Sequence, residues 1–144
     1  MKLLKLNLGC GPDIKEDFIN IDILNNQRMP DMVHDLNNGI PFNDGVVGEI
    51  LAKHFLEHLD PARFHNFVGE MWRVCSDKAI IKIIVPIGKG WQRWPEHRIP
   101  FEDGSEEFFQ ILNINGKPLF KVQNKEIVGE GITEELRFEL EVQK

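Results

Sequence analysis

Only ten residues separate the glycine corner of LNLGCGP (6–12) from Asp22, which closes a second apolar run, FINIDI (18–23). Two strands that follow each other in parallel need a crossover, and a full helical one takes a dozen or more residues. The spacing therefore predicts two short strands joined by a single turn or a loop. It also predicts an α/β domain whose first helix has been trimmed away. Gly9 and Gly11 flank Cys10 at the end of the first run. Glycine there permits positive φ and lets a ligand approach the backbone with no Cβ in the way. In an open α/β sheet, ligands lie in the crevice at the carboxyl ends of the strands.

The rest of the chain continues the pattern. DMVHDL (31–36), GEILAKHFL (48–56) and KAIIKIIVP (78–86) read as further strands. The near-continuous Ile/Val content of the last is that of a strand covered on both faces. PARFHNFVGEMWRVC (61–75) reads as a helix, with Pro61 in its first turn and Asp60 as N-cap. Phe64, Phe67, Val68, Met71 and Trp72 give it one apolar face. GKGWQRWPEHRIPFEDG (88–104) reads as a loop and SEEFFQIL (105–112) as a short helix. PLFKVQNKEIV (118–128) and ELRFELEVQ (135–143) form a final antiparallel pair. With no repeat or linker in 144 residues, one domain spanning 1–144 is expected.

Composition excludes several classes of function. A net charge of −6 argues against extended nucleic-acid binding, which needs phosphate neutralisation by Lys and Arg. The apolar runs are interrupted and too short to span a bilayer, so no membrane partner is expected. The start, MKLLKLNLGCG, runs straight into a glycine turn and lacks the pattern of a signal peptide. Cys10 and Cys75 show no disulfide patterning and read as free thiols of a reducing compartment, so the expected location is the cytoplasm.

The carboxylates narrow the ligand. Asp22, at the tip of the second strand, can accept two hydrogen bonds from a ribose diol, each charge-assisted bond contributing about 1.5–3 kcal/mol. Asp35, at the end of the third, can reach an adenine amino group by the same geometry. A dinucleotide site would show G-x-G-x-x-G with a third glycine packing a full helix. Here that position is Ile14 and the acid comes early, which favours an adenosyl ligand over a dinucleotide.

LNLGCGP, FINIDI, VHDL, IPFNDGVVGEILAKHFLEHL, a helix ending MWRV and a strand ending IIVP follow in that order. Over about residues 3–100 the chain resembles class I S-adenosylmethionine-dependent methyltransferases. The likeness is to the small bacterial and viral type, with an L-G-C-G corner and an L-E-H-L segment. The resemblance implies a Rossmann-like sheet of seven strands with the last antiparallel, and S-adenosylmethionine as cofactor. It implies that Gly9, Cys10 and Gly11 border the methionine moiety, that Asp22 holds the ribose, and that Asp35 and Leu36 contact adenine. Lys53 and His54 would lie beside the sulfonium, and Glu57 and His58 would open the next helix beneath the pocket. The chain departs from the fuller pattern in lacking an N-terminal helical cap and most of the first helix.

HFLEH (54–58) also fits H-x-x-E-H, a zinc-protease pattern in which two His four apart share a helix face. The preceding EILAK reads as a strand, which puts His54 at its exit, and zinc would still need a third ligand. No metal is expected. His34 and His65 read as ordinary strand or surface residues. Methyl transfer needs an acceptor held in line and desolvated, and His is the usual base near neutral pH. His54 and His97 are the candidates for that role. His97 lies in the 88–104 segment with Lys89, Arg93, Arg98, Trp91 and Trp94. Such a mixture suits an anionic or sugar-bearing acceptor. There is no Asp/Asn-Pro-Pro-aromatic segment and no Pro-Cys dipeptide, which argues against amino- or carbon-methylating DNA enzymes. The expectation is transfer to an oxygen or nitrogen of a small-molecule or glycan acceptor. The alternative is a degenerate copy of the fold serving as an interaction or regulatory module. A homodimer through the apolar tail strands would be one way to complete an open pocket.

Overall fold

In the computed structural model, which describes residues 1–24 and 29–144, the two opening runs are neighbouring parallel strands. These are β1 (Leu4–Leu8) and β2 (Ile19–Asp22), with Leu6, Asn7 and Leu8 in register with Ile19, Asn20 and Ile21. β3 (Met32–Val33), β4 (Val47–Lys53) and β5 (Cys75–Pro86) extend the sheet. A small hairpin of β6 (Asn113–Ile114) and β7 (Lys117–Pro118) stands apart from it. β8 (Phe120–Val128) and β9 (Glu135–Val142) complete the order β3-β2-β1-β4-β5-β9-β8. β9 runs antiparallel to both its neighbours and is the only strand of the seven that does. The helices are α1 (Phe64–Val74), α2 (Gly88–Gln92) and α3 (Glu107–Ile111). α1 follows one 3₁₀ turn whose N-cap is Asp60, its Oδ1 accepting from the Ala62 N–H at 3.0 Å.

The short first crossover leaves one face of the sheet without a helical layer among the described residues. From β1 to β3 the chain moves toward one edge, and from β4 to β5 toward the other. Right-handed connections in opposite directions land on opposite faces. α1 brings Phe67, Val68, Met71 and Val74 to the face bearing Leu6, Ile50, Ile81 and Leu140, all buried. α3 adds Phe109, whose ring meets Phe120 and Phe138. The helix that would cover the other face belongs to residues 9–18, which form no helix. That face instead carries Lys5, Glu49, Lys82 and Glu141, paired as Lys5–Glu49 (3.1 Å), Lys82–Glu49 (3.3 Å) and Lys78–Glu141 (3.4 Å).

The expectation that β5 is covered on both faces fails for this reason. Burial alternates along it: Ala79, Ile81, Ile83 and Val85 are buried, Lys82 is exposed, and Ile80 and Ile84 are half-buried. The alternation ELRFELEV of β9 follows the same rule, with Leu136, Phe138, Leu140 and Val142 facing inward.

What replaces the missing helix is a pair of buried amides. Asn7 and Asn20 are register partners, 3% and 2% exposed, and Asn7 Nδ2 donates to Asn20 Oδ1 at 2.9 Å and to the Asp13 carbonyl at 2.8 Å. Asn20 Oδ1 also accepts from the Lys15 N–H, and its Nδ2 donates to the Lys15 and Phe18 carbonyls and to Asp31. A buried amide left without partners would cost about 1–3 kcal/mol. Here the two side chains satisfy the loop backbone that a helix would have satisfied internally.

Candidate functional site

At the end of β1, Gly9 and Gly11 take φ of +64° and +49°, the left-handed region that favours glycine. Their reasons differ. A Cβ on Gly9 would lie 2.2 Å from the Phe55 ring, so Gly9 makes room for Phe55. A Cβ on Gly11 would meet nothing within 4 Å, so the open approach to the corner is at Gly11. Asp22 ties the corner to β2: Oδ2 accepts from the Gly11 N–H at 2.7 Å and Oδ1 from the Leu24 N–H at 3.0 Å. Each carboxylate oxygen has a second lone pair beyond these bonds. Asp35 caps the 3₁₀ turn Leu36–Asn38, accepting from the Asn37 N–H at 2.9 Å. Burial, with the charge of Asp22 behind it, pushes the Cys10 thiol up to about 11, so it stays protonated at neutral pH and is no nucleophile.

Three cavities adjoin at the carboxyl ends of the central strands. The first, of 420 Å³, is lined by Gly9, Asp22, Asp35, Leu36 and Phe55. The second, of 460 Å³, lies along Gly9, Cys10, Gly11, Pro12 and Lys53. The third, of 420 Å³, is lined by Glu57, His58, Trp94, His97 and Glu135. All the residues expected at a cofactor thus fall on the first two cavities, and His97 falls on the third. One residue lines all three: His54.

His54 lies just past the last residue of β4 in a left-handed conformation, φ +51°, its N–H donating to the Ile84 carbonyl at 2.8 Å. For a residue other than glycine this costs about 1–2 kcal/mol, and such strain clusters at functional sites. Its Nε2 is 2.6 Å from Glu135 Oε1, and Glu135 Oε2 accepts from Arg137 Nη2 at 3.0 Å. The carboxylate keeps the proton on Nε2 and leaves Nδ1 as the nitrogen able to take one. Glu135 was not legible as a site residue. The alternation of β9 puts it on the polar face, but nothing in the sequence says that β9 inserts beside β5.

The floor of the third cavity holds Glu57 and His58, the pair that the sequence placed beneath the pocket. Glu57 and His58 do not open a long helix; they sit in an isolated 3₁₀ turn, Leu56–His58. Glu57 is 0% exposed, and neither carboxylate oxygen has a hydrogen-bond partner among the described residues. His58 Nε2 stands 3.6 Å from Glu57 Oε1. Burial pushes the Glu57 carboxyl up to about 8, with the Glu135 charge adding to it. Burial, and then the neighbouring His97, pulls His58 below the usual imidazole range. The Glu57 carbonyl accepts from the Arg98 and Ile99 N–H groups at 2.7 and 3.1 Å, which docks the 88–104 segment against this turn. His97 follows: its Nδ1 meets the Trp91 carbonyl at 2.8 Å and its ring packs edge-on to His58 at 4.9 Å.

The basic residues of that segment do not face the cavity. Its lining includes Glu57, Glu96, Glu134 and Glu135 but, among the described residues, no Lys or Arg, and Arg98 leans to Asp60 at 3.7 Å. Trp91 donates Nε1–H to the Ile99 carbonyl at 2.7 Å and so pins the segment, whereas Trp94 lines the cavity. The charge complement expected for an anionic acceptor is therefore replaced by an acidic one. The first turn of the segment is also helical, as α2, where a loop was expected.

No protein-family model matches the sequence, and no curated protein matches it either. Solved structures do. A SAM-dependent methyltransferase from Archaeoglobus fulgidus superposes with a TM-score of 0.70 at 15% identity, over 96% of this chain and 86% of that one. The 1,6-didemethyltoxoflavin-N1-methyltransferase of Burkholderia thailandensis, solved with 1,6-didemethyltoxoflavin and S-adenosylhomocysteine bound, gives 0.70 at 12% identity, over 98% and 71%. A SAM-dependent methyltransferase from Methanosarcina mazei gives 0.69 at 14% identity, over 100% and 95%. With the strand order and the antiparallel last strand, these likenesses show that the chain has the Rossmann-like fold of the class I methyltransferases.

Proposed function

We propose that this protein is an S-adenosylmethionine-dependent methyltransferase that acts on an oxygen or nitrogen of a small-molecule or saccharide acceptor. The observation that carries the reading is the meeting of three cavities at one strained histidine, His54. The residues fit the cofactor. Gly11 leaves a space that a Cβ would fill, and the Asp22 oxygens have acceptor capacity for a ribose diol. Asp35 and Leu36 would hold the adenine in the first cavity, and Cys10, Gly11 and Lys53 the methionine end in the second. Bound there, the sulfonium supplies an electrophilic methyl group. An acceptor in the third cavity would stack on Trp94 and give its proton to Nδ1 of His54 as its oxygen or nitrogen takes the methyl. Glu135, a positioning residue, holds the imidazole and balances its positive charge.

Calorimetric titration with S-adenosylmethionine and S-adenosylhomocysteine, with NAD as control, tests the proposal. Micromolar binding of the adenosyl ligands alone is expected; binding of none of them overturns it. Asp22→Ala should weaken that binding by roughly 1.5–3 kcal/mol through loss of the charge-assisted diol bonds. Because Asp22 also ties the glycine corner, Asp22→Asn is the sharper variant. It keeps one acceptor for the Gly11 N–H, so unaltered affinity in Asn would sink the ribose assignment. The missing helix over the corner favours a second reading, an adenosyl-binding module without transfer. That reading predicts binding with no turnover on any acceptor.

A further inference from the structure

We propose that Glu57, His58 and His97 form a binding site for a divalent first-row transition metal on the floor of the third cavity. The three ligand atoms lie within 4.8 Å of one another. Zinc-class ions bind imidazole nitrogen and carboxylate oxygen at about 2.0–2.2 Å in a tetrahedral site, so ligand atoms stand about 3.3–3.6 Å apart, a separation that Glu57 Oε1 and His58 Nε2 already meet at 3.6 Å.

Three features point to a cation. Glu57 is fully buried with both oxygens unpartnered, so its carboxyl must carry either a proton or a cation. His97 has Nδ1 committed to the Trp91 carbonyl, which fixes the proton there and leaves Nε2 as a lone-pair donor. That is the outer-shell arrangement usual for ligating histidines. The lining of the cavity is acidic, with Glu96, Glu134 and Glu135 besides Glu57 and, among the described residues, no Lys or Arg. The donor set of two imidazoles and one carboxylate leaves coordination positions open and suits zinc, iron or cobalt better than magnesium or calcium.

H-x-x-E-H contributes to this site, but not as the motif suggests. His54 turns away to Glu135, and the third ligand comes from His97, on a segment docked by the Glu57 carbonyl. The expectation of no metal rested on the lack of a third ligand and on His54 standing at a strand exit. An ion here would hold an acceptor oxygen opposite His54. That use rests on the methyltransferase reading, whereas binding of the ion stands on the cluster alone.

The test is titration of tag-free, chelator-stripped protein with Co²⁺, read by visible absorbance, with Zn²⁺ competition. One equivalent is expected to bind at micromolar concentration and to be displaced by Zn²⁺. Glu57→Gln and His97→Ala should each weaken binding by more than about 100-fold, since even outer-shell losses cost 10–100-fold. His65→Ala, an exposed histidine outside the cluster, should bind as the wild type does. Circular dichroism and a thermal melt verify that each variant folds. No stoichiometric Co²⁺ binding by the wild type, wild-type affinity in either cluster variant, or a preference for Mg²⁺ overturns the site. S-adenosylmethionine titration of the same preparations separates the two proposals. Metal binding without cofactor binding leaves the site and removes the transfer reading; cofactor binding without metal does the reverse.

Discussion

Replacing His54 with Asn is expected to lower turnover about 10²–10³-fold, within the range that a positioned general base contributes, and to lower affinity for S-adenosylmethionine far less. Asn is chosen because it tolerates the left-handed backbone that His54 adopts at φ +51°, so the turn after β4 is preserved. The Asn amide cannot take a proton at neutral pH. Turnover measured with a responsive acceptor, beside calorimetry for the cofactor, checks both halves. Equal turnover in wild type and variant would remove His54 as the base. Glu135→Gln offers a companion measurement. It retains an acceptor for Nε2–H but removes the negative charge that would balance an imidazolium, so kcat should fall while KM for the acceptor is kept. A change in KM alone would make Glu135 merely structural.

The second large effect is on stability. In chelator-treated protein Glu57 ionises at about 8, against 4.5 when unfolded, because burial disfavours its charged form. A raised folded-state value means that the stability present below pH 4.5 is lost as pH rises toward and through 8. At about 1.4 kcal/mol per unit, the loss by pH 8 is roughly 4 kcal/mol. Glu57→Gln removes the ionisation and should flatten this slope, leaving the variant more stable than the wild type at pH 8 and similar at pH 5. The charges nearest the carboxyl, those of Glu135 and of His58 when protonated, stay in place in the variant. Urea melts at the two pH values decide the matter; a variant with the wild-type slope would show that Glu57 is not its source.

Much of this architecture was legible because it follows from local chemistry. Period-two and period-three-to-four patterning placed β1, β2, β4, β5, α1 and the β8–β9 pair. The distance from Gly11 to Asp22 alone required the first crossover to be short. Positive φ at Gly9 and Gly11, and the cap at Asp60, are backbone properties of the residues themselves. Asn7 and Asn20, polar residues inside apolar strand runs, were visible as well. Their role was not, since it depends on the two strands lying side by side in register.

What the sequence by itself determined is therefore the order of elements, the trimmed first connection and the carboxylates at successive strand tips. The tertiary structure alone decided which groups meet at the site. β9 enters between β5 and β8, and only that insertion brings Glu135 to His54. The 88–104 segment folds back onto the Glu57 carbonyl, and only that docking brings His97 to Glu57 and His58. The bare face of the sheet has the same origin, since which face lacks a helix depends on the direction of each crossover. Strand and helix periodicity report how a residue stands on its own element, whereas a site is made of residues from different elements. Their meeting depends on non-local pairing that no single stretch of sequence encodes.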